Sequence, residues 1–371
     1  MHILLAPDSF KESLSAKQVA EALKKGFQEA LPDATFDLLP IGDGGEGTMD
    51  TLAGVLNLTK KHTQVTGPFG KPVSMAYYRK DEMAFFEMAS LVGLGSIPAE
   101  KRNPLELETR GIGELILQLV DQGVKTICVG IGGSATNDGG IGMAAGLGVA
   151  FYDDQGHLLR PVGASLGRVA RIDTSAVPKA LQGIELQVLT DVINPLCGSQ
   201  GATYIFGGQK GLNPLLFPAV DQAMQNFYQL ADARILSMSG AGAGGGMAAG
   251  LVAFAGGQIS SGIEKSLDLI DFDYKVQKAD LVVVGEGRMD LQSLSGKAPV
   301  GVAKRTPEKI PVIAICGSLA EDLPAFPSHH IEAAFSIVPG PCEVADALAH
   351  AERNLISCAR NIGNLLKIKA N

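Results

Sequence analysis

Short apolar runs that end in polar, glycine-containing loops recur along this chain. Each such loop combines glycine, or a tight turn, with acid, amide or hydroxyl side chains. The loops span residues 6–11, 42–48, 132–138, 190–194 and 285–288. Apolar runs of this length are typical of buried strands in a parallel sheet, and ligands of open α/β sheets bind outside the carboxyl ends of such strands. The pattern therefore predicts an α/β protein whose loops form an active-site cleft suited to a metal-bound polyphosphate.

Residues with helical spacing follow the first strand. Ser15 and Gln18 have the spacing of a capping box, and apolar residues recur after them at helical intervals. A second strand over residues 35–39 then leads to a helix from about Thr48. This β-α-β-α order predicts a doubly wound opening domain.

The pattern changes between residues 65 and 89. A Gly-Pro turn and two short runs, 73–78 and 84–86, indicate a hairpin there. A helix from Thr109 and a strand over 125–130 follow. The middle of the chain is therefore predicted to be α/β as well.

Two apolar runs closer to the C-terminus, 279–285 and 310–317, have the composition of buried parallel strands. We predict one long closing helix whose apolar stripe comprises Val344, Leu348, Ala351, Leu355, Cys358, Ile362 and Leu366. These patterns predict two α/β domains. The first is doubly wound, Rossmann-like and discontinuous, from residues 1–60 and 280–371, and the second, 61–279, is inserted in it and has a mixed sheet. The active site is expected in the cleft between them.

Composition narrows the class of protein. The 371 residues exceed what one hydrophobic core usually supports, so two domains are expected. The chain has 46 glycines and no tryptophan, which favours close-packed α/β layers. A formal net charge of −8, without a block of Lys and Arg, argues against a nucleic-acid or anionic-membrane partner.

The cysteines and the apolar segments indicate a cytoplasmic protein. The 5 cysteines lie far apart and form no CxxC pair, so we expect buried thiols in a reducing compartment. The N-terminal apolar run is too short for a signal peptide. Residues 235–263 carry no charge, but the dense glycines over 240–246 predict a loop before a buried helix, 247–255, and not a membrane span.

Two known nucleotide-binding motifs match this sequence only in part. Gly240, Gly242 and Gly245 have the spacing of the dinucleotide fingerprint, but no clear strand ends immediately before them. The Gly296-Lys297 pair is followed by alanine and lacks the earlier glycine of a phosphate-binding P-loop. If the protein handles ATP, it does so on another scaffold.

Longer motifs closely resemble those of the glycerate kinase type-1 family, in order and over essentially the whole chain. The motifs are residues 6–16, 43–48, 130–140, 190–198, 209–211 and 285–290. The resemblance implies two α/β domains with a cleft between them. It also implies ATP-dependent phosphorylation of D-glycerate to 2-phosphoglycerate.

Phosphoryl transfer needs positioning, neutralisation of charge and a base for the hydroxyl proton. As a hypothesis, Asp191 and Asp43 divide the roles of general base and metal-binding carboxylate, in an order that the sequence leaves open. Lys11 and Arg288 are expected to bind the glycerate carboxylate or the transferred phosphoryl group.

The glycine-rich loops are expected to donate backbone N–H groups to ATP phosphates bridged by Mg²⁺. The predicted nucleotide-binding residues are Gly132, Gly133, Ser134, Asn137, Asp138, Gly285, Glu286 and Gly287. The predicted substrate-binding residues are Asp8, Ser9, Lys11, Arg288 and Asp290. The expected partners are D-glycerate and ATP, with a homodimer left open.

Other functions remain open alternatives. A nicotinamide-dependent hydroxyacid oxidoreductase would use the glycine run that begins at Gly240. A non-catalytic sugar-acid sensor would keep the cleft without turnover, and a kinase that forms 3-phosphoglycerate would differ in the hydroxyl it phosphorylates. The many acids in the loops favour a metal-nucleotide enzyme.

Overall fold

The computed structural model describes residues 1–42 and 47–370, without the side chains of residues 295, 369 and 370. The chain divides into two compact units. The first comprises Met1–Asp43, Asp50–Asn57 and Gly262–Asn371, and the second comprises Gly44–Met49 and Leu58–Ser261. The predicted α/β class is confirmed. The borders proposed near residues 60 and 280 stay a prediction.

Strands and helices alternate along much of the described chain. The strands are β1 (His2–Pro7), β2 (Thr35–Leu38), β3 (Thr59–Thr66), β4 (Pro72–Lys80), β5 (Met83–Glu87), β6 (Thr126–Gly130), β7 (Ala150–Tyr152), β8 (Arg171–Asp173), β9 (Glu185–Leu189), β10 (Gln258–Ser260), β11 (Leu281–Gly285), β12 (Arg288–Met289), β13 (Val312–Cys316), β14 (Ser318–Leu319) and β15 (Ala333–Ser336). The helices are α1 (Ala16–Ala30), α2 (Thr48–Leu56), α3 (Ala89–Val92), α4 (Arg110–Asp121), α5 (Ile141–Gly146), α6 (Ala202–Phe206), α7 (Phe217–Ala231), α8 (Ala243–Ala255), α9 (Gly262–Leu269), α10 (Phe272–Val276), α11 (Ala298–Arg305), α12 (Val344–Ala349) and α13 (Ala351–Ala370).

The first unit contains a parallel sheet. Within the described residues its strand order is β15-β13-β11-β1-β2, and every neighbouring pair is parallel. β1 and β11 are largely buried and pair in register from Ile3 with Leu281 to Pro7 with Gly285. The strands predicted at 279–285 and 310–317 are thus confirmed as β11 and β13. The segments that follow β1, β11 and β13 leave the same edge of the sheet.

Helix α1 begins at the predicted capping box. The backbone N–H of Gln18 donates to Ser15 Oγ at 3.3 Å, and the backbone N–H of Ser15 donates to Gln18 Oε1 at 2.9 Å. Val19 and Leu23 are fully buried in a core that also contains Leu355 of α13. The helix is therefore fixed both by its local cap and by its apolar face.

The predicted single closing helix is wrong, because the chain forms α12 and α13 with a break at His350. His350 has φ −108° and ψ 10°, outside the helical region, and its backbone N–H donates to the Asp346 carbonyl oxygen at 3.1 Å. Val344, the first residue of the predicted stripe, is 73% exposed. The stripe from Ala351 onward is real, since Ala351 and Leu355 are buried in the first unit's core.

The second unit contains a mixed sheet, as predicted. Among the described residues its strand order is β10-β9-β6-β5-β4-β3, with parallel pairing from β10 to β5 and antiparallel pairing from β5 to β3. The predicted hairpin corresponds to β4 and β5. The sequence analysis missed β3, whose residues are mostly polar and exposed because it is an edge strand.

The glycine run over residues 240–246 is used for close packing. Gly244, Gly245 and Gly246 have φ values of 66°, 70° and 85°, and the regular part of α8 follows them, as predicted for residues 247–255. A Cβ atom at Gly245 would overlap the Thr136 carbonyl oxygen, and one at Gly246 would lie 2.7 Å from Gly139 Cα. The run therefore brings α8 against the loop that follows β6.

The cysteines are free thiols. Cys128 and Cys316 are buried as predicted, and burial raises the pKa of the Cys316 thiol to about 12. None of the helices within residues 1–42 and 47–370 combines the length and the apolar character needed to cross a membrane.

Candidate active site

The loop after β6, residues 131–140, is held in place by buried polar groups. Leu94 N–H donates to the Gly133 carbonyl oxygen at 2.8 Å, and Ala135 N–H donates to the Val92 carbonyl oxygen at 2.8 Å. Gly133 itself is exposed and has φ +69°, a left-handed conformation that glycine adopts readily. The loop thus has a fixed base and an exposed tip.

Three successive backbone N–H groups of this loop have no protein acceptor. Within the described part of the chain, the N–H groups of Gly132, Gly133 and Ser134 donate to no protein acceptor. Successive N–H groups beside a left-handed residue form concavities that bind anions, phosphates among them. The three residues therefore have the chemistry predicted for contacts to ATP phosphates.

Asn137 and Asp138 lie at the buried base of the same loop. Asp138 is fully buried; Thr109 Oγ1 donates to its Oδ2 at 2.6 Å, and Gly140 N–H donates to its Oδ1 at 3.0 Å. Burial raises the pKa of the Asp138 carboxyl, and these hydrogen bonds oppose the rise. Asn137 Nδ2 donates to Thr203 Oγ1 at 3.0 Å. Both side chains thus stabilise the loop from the protein side.

Lys210 is a residue of this site to which the sequence analysis gave no role. Its side chain is buried, and Nζ donates to Ser134 Oγ at 2.9 Å and to the Thr136 carbonyl oxygen at 2.7 Å. Burial lowers the pKa of Lys210 to about 7, although the negative charge of Asp138 opposes this shift. The Gln209-Lys210-Gly211 motif was the sequence signal, but nothing in it indicates burial.

Asp191 lies beyond the end of β9, the strand beside β6. Gly130 of β6 and Leu189 of β9 are register partners, so the loops that follow them leave the sheet side by side. Asp191 is half-buried, and Ser261 Oγ donates to its Oδ1 at 2.8 Å. Asp191 therefore follows the strand that pairs with β6, the strand leading into the proposed phosphate loop.

The other predicted catalytic carboxylate, Asp43, lies outside the described residues. A buried acid missed by the sequence analysis holds the chain shortly after it: Glu87, the last residue of β5, is 8% exposed. Its carboxylate accepts from Met49 N–H at 2.8 Å and from Gly47 N–H at 3.2 Å. An acid after the apolar run of β5 was the only sequence signal for this contact.

Several predicted residues of the first unit lie together at the ends of β1 and β11. Asp8 N–H donates to the Gly285 carbonyl oxygen at 2.8 Å, and Ser9 N–H donates to Asp8 Oδ1 at 2.6 Å. A Cβ atom at Gly287 would lie 3.5 Å from the backbone nitrogen of Lys11. The two predicted loops are therefore in contact, and Gly287 allows their close approach.

Side chains of different exposure surround this contact. Lys11 and Arg288 are exposed, whereas Glu286 is buried. Asp290 Oδ1 accepts from the backbone N–H groups of Ser293, at 3.0 Å, and Gln292, at 2.9 Å. Burial raises the pKa of Asp290, but these N–H groups and the charge of Lys297 together lower it overall. Asp290 thus caps a turn, while the two cations are open to solvent.

The predicted site residues fall into one group in each unit. In the first unit the structure gathers Asp8, Ser9, Lys11, Gly285, Glu286, Gly287, Arg288 and Asp290. In the second unit it gathers Gly132, Gly133, Ser134, Asn137, Asp138 and Asp191.

The oxygen donors at the second group suit a hard cation. Within residues 1–42 and 47–370, no set of three or more His, Cys, Asp and Glu side chains is arranged to hold a metal ion. Mg²⁺ in nucleotide sites is usually bound by one or two carboxylates together with substrate phosphates and water. Asp191, with the Ser261 hydroxyl beside it, fits this requirement.

Comparisons with known proteins show the family to which the chain belongs. The model of the glycerate kinase family matches residues 3–367. A glycerate kinase of Neisseria meningitidis serogroup B (strain MC58) is 56% identical over 368 residues, which cover 99% of each chain. The glycerate 2-kinase of Escherichia coli K12 is 40% identical over 375 residues, covering 99% of this chain and 98% of that one.

A solved structure is similar over the same length. A crystal structure from Salmonella typhimurium LT2, assigned as a glycerate kinase 2, superposes with a TM-score of 0.87 at 41% sequence identity. The match covers 100% of this chain and 99% of that chain. Sequence and fold thus agree over the full length, and the chain belongs to the glycerate kinase family and is a kinase.

Proposed function

We propose that this kinase transfers the γ-phosphoryl group of Mg-ATP to the 2-hydroxyl of D-glycerate, which gives 2-phosphoglycerate and ADP. The observation that carries the proposal is the row of N–H groups without protein acceptors at Gly132, Gly133 and Ser134, with Asp191 in the loop after the adjacent strand. The row suits a polyphosphate, and the carboxylate suits either a metal ion or a hydroxyl proton.

The loop after β6 would bind the phosphates of ATP. Its N–H groups neutralise charge without moving, because the buried side chains of Asn137 and Asp138 fix the loop before the ligand arrives. Donors that need no reorganisation are the most effective in stabilising a transition state.

Asp191 would act on the acceptor hydroxyl or hold Mg²⁺, with Asp43 in the other role. When bound, Mg²⁺ supplies positive charge that offsets the charge developing on the transferred group. Ser261 donates to one carboxylate oxygen of Asp191 and so orients the other.

Lys11 and Arg288 would bind the anionic parts of the substrates. Both are exposed cations beside the contact between the loops after β1 and β11. The planar guanidinium of Arg288 matches a carboxylate in a two-point hydrogen bond, and the ammonium of Lys11 adds a point charge. Asp8, Ser9 and Asp290 would shape the surroundings of these cations.

The choice of the 2-hydroxyl is supported by the name of one relative, the glycerate 2-kinase of Escherichia coli K12. The experiment is turnover of Mg-ATP with D-glycerate by the purified protein, followed by phosphorus NMR of the product. The proposal expects the signal of 2-phosphoglycerate. A signal of 3-phosphoglycerate would overturn the regiochemistry, and no ADP release would overturn the substrate.

A further inference from the structure

Lys210 is a buried ammonium held by uncharged oxygens. It is 3% exposed, and its Nζ donates to the hydroxyl of Ser134 and to the backbone carbonyl of Thr136. Within the residues that the structure describes, Asp138 is the acid whose charge acts on it, and the two form no ion pair. A cation in such surroundings is costly, since burial removes its hydration without supplying an opposite charge in contact.

Stability alone gives no reason to keep this cation. Apolar replacements of buried charged groups are often neutral or stabilising when they have similar volume. The position of Lys210 suggests a different reason, because both of its acceptors belong to the loop whose tip carries the free N–H groups. The buried amino group of Lys210 thus contacts the loop that would bind phosphate.

The loop does not satisfy its own polar groups. In the described part of the chain, the buried atoms Thr136 Oγ1 and Asn137 Oδ1 have no hydrogen-bond partner. Each such atom costs free energy relative to a conformation that exposes it to water. The observed loop conformation therefore needs contacts that hold it, and Lys210 supplies two of them.

We propose that Lys210 is a positioning residue that fixes residues 132–136 in the shape that binds the phosphates of ATP. The inference rests on the proposed phosphate-binding role of this loop. The ammonium orients the Ser134 hydroxyl and the Thr136 carbonyl. It thereby sets the direction of the N–H groups that precede them.

The test compares Lys210→Met with Ser134→Ala and with a control, Lys101→Met, at an exposed lysine of the same unit. Lys210→Met keeps an unbranched side chain, one atom shorter, and removes its donors. We expect the KM for ATP to rise about tenfold or more, with the KM for D-glycerate unchanged. Ser134→Ala is expected to raise the KM for ATP less, and Lys101→Met to leave both constants unchanged.

The melting temperature separates positioning from a merely structural role. If Lys210 only stabilises the fold, Lys210→Met will lower the melting temperature and change both KM values together. That result, or an unchanged KM for ATP in a folded variant, would overturn the inference. If Lys210→Met does not fold, the KM for ATP of Ser134→Ala tests the inference instead. This variant removes one hydrogen bond to Lys210 and keeps the lysine.

Hydrogen exchange of the wild-type peptide that covers residues 131–140 tests the underlying assignment separately. Protection by a non-hydrolysable Mg-ATP analogue is expected if the loop binds phosphate. Absence of protection would refute the role of the loop itself, and with it the proposal for Lys210. Protection combined with a normal KM in Lys210→Met would refute only the role of Lys210.

Discussion

Asp191 is half-buried, and Ser261 Oγ donates to its Oδ1 at 2.8 Å; asparagine has nearly the same size and shape but no charge. Asp191→Asn is expected to lower kcat by about 10² to 10⁴, the usual contribution of a proton acceptor. The melting temperature should change little, because the amide oxygen can still accept from Ser261. ADP release under saturating Mg-ATP and D-glycerate measures the effect.

Asp154→Asn provides the matched control, since Asp154 is an exposed aspartate of the same unit. It should retain wild-type turnover and stability. Near-normal turnover of Asp191→Asn would remove Asp191 from both proposed roles, base and metal ligand.

Burial of Lys210 is expected to make the stability of the protein depend on pH. Its pKa is lowered by burial to about 7 in the folded protein, against an ordinary value of 10.5. Between these values the unfolded chain binds the proton and the folded protein does not, so the free energy of unfolding rises with pH. The slope contributed is at most about 1.4 kcal/mol per pH unit.

Urea unfolding at pH 7, 8 and 9 measures this slope. The wild type should gain stability relative to Lys210→Met as the pH rises across that interval. Parallel slopes for the two proteins would show that Lys210 keeps its proton in the fold. Below pH 7 the two proteins should differ by a constant amount, because the lysine is protonated in both states.

Sequence reasoning placed the polar loops at strand ends but gave no account of burial within them. Asn137 and Asp138 have the residue types of a ligand site, yet Asn137 Nδ2 and the Asp138 carboxylate are hydrogen-bonded within the protein. Lys210 is the reverse case, since a lysine is expected in solvent and here it is buried. Both facts depend on which residues pack around the loop, and a local pattern does not contain that information.

At the scale of elements, the contact between α8 and the loop after β6 is made by glycine backbones. Gly245→Ala is expected to destabilise the protein by about 2–5 kcal/mol, because the residue has φ +70° and its Cβ would overlap the Thr136 carbonyl oxygen. The change should also impair turnover, since Thr136 belongs to the proposed phosphate loop. Urea unfolding and the KM for ATP measure the two effects.

Gly183→Ala is the control for this substitution. Gly183 ends a short 3₁₀ helix, Lys179–Gly183, and a Cβ there meets nothing within 4 Å. This variant should be unchanged or more stable by about 0.4–1 kcal/mol. If both alanine variants have the same free energy of unfolding, the close approach at Gly245 does not contribute to stability.

The elements that local signals define were predicted well. The capping box of α1 and the buried strands β11 and β13 are confirmed, because a cap and a continuous apolar run act over a few residues. The edge strand β3 was missed because its residues are polar, and its strand structure comes from pairing with β4. The break at His350 was missed because the apolar spacing continues across it.

At the scale of the whole molecule, binding of Mg-ATP should stabilise the fold. A ligand present at 100 times its dissociation constant adds about 2.7 kcal/mol to the free energy of unfolding. We therefore expect a higher melting temperature with Mg-ATP and a smaller rise with ATP in EDTA, measured by thermal unfolding. Turnover should cease in EDTA and return with added Mg²⁺, because the charge on the transferred group is otherwise unbalanced.

The control for this measurement is D-glycerate alone with and without EDTA, which should give the same melting temperature in both. An equal shift by ATP with and without Mg²⁺ would contradict the proposed metal-bridged phosphates.

The general class and the family could be predicted from the sequence because the motifs extend over the whole chain. The proposed roles of base and metal ligand could not be divided between Asp191 and Asp43, since the two residues come from distant parts of the sequence. Such a division depends on the geometry around a bound substrate, which no spacing along the chain encodes.

The order of strands in the first unit has a consequence for synthesis on the ribosome. β1 pairs with β2 on one side and with β11 on the other, and β11 begins only at Leu281. At about 5–20 residues per second, β1 emerges roughly 15–50 s before its second neighbour exists. The second unit, complete by Ser261, can fold during that interval, while the apolar side chains of β1 stay incompletely covered. The first strand of this enzyme is therefore completed only near the end of synthesis, and its apolar side chains are exposed to association with other chains until then.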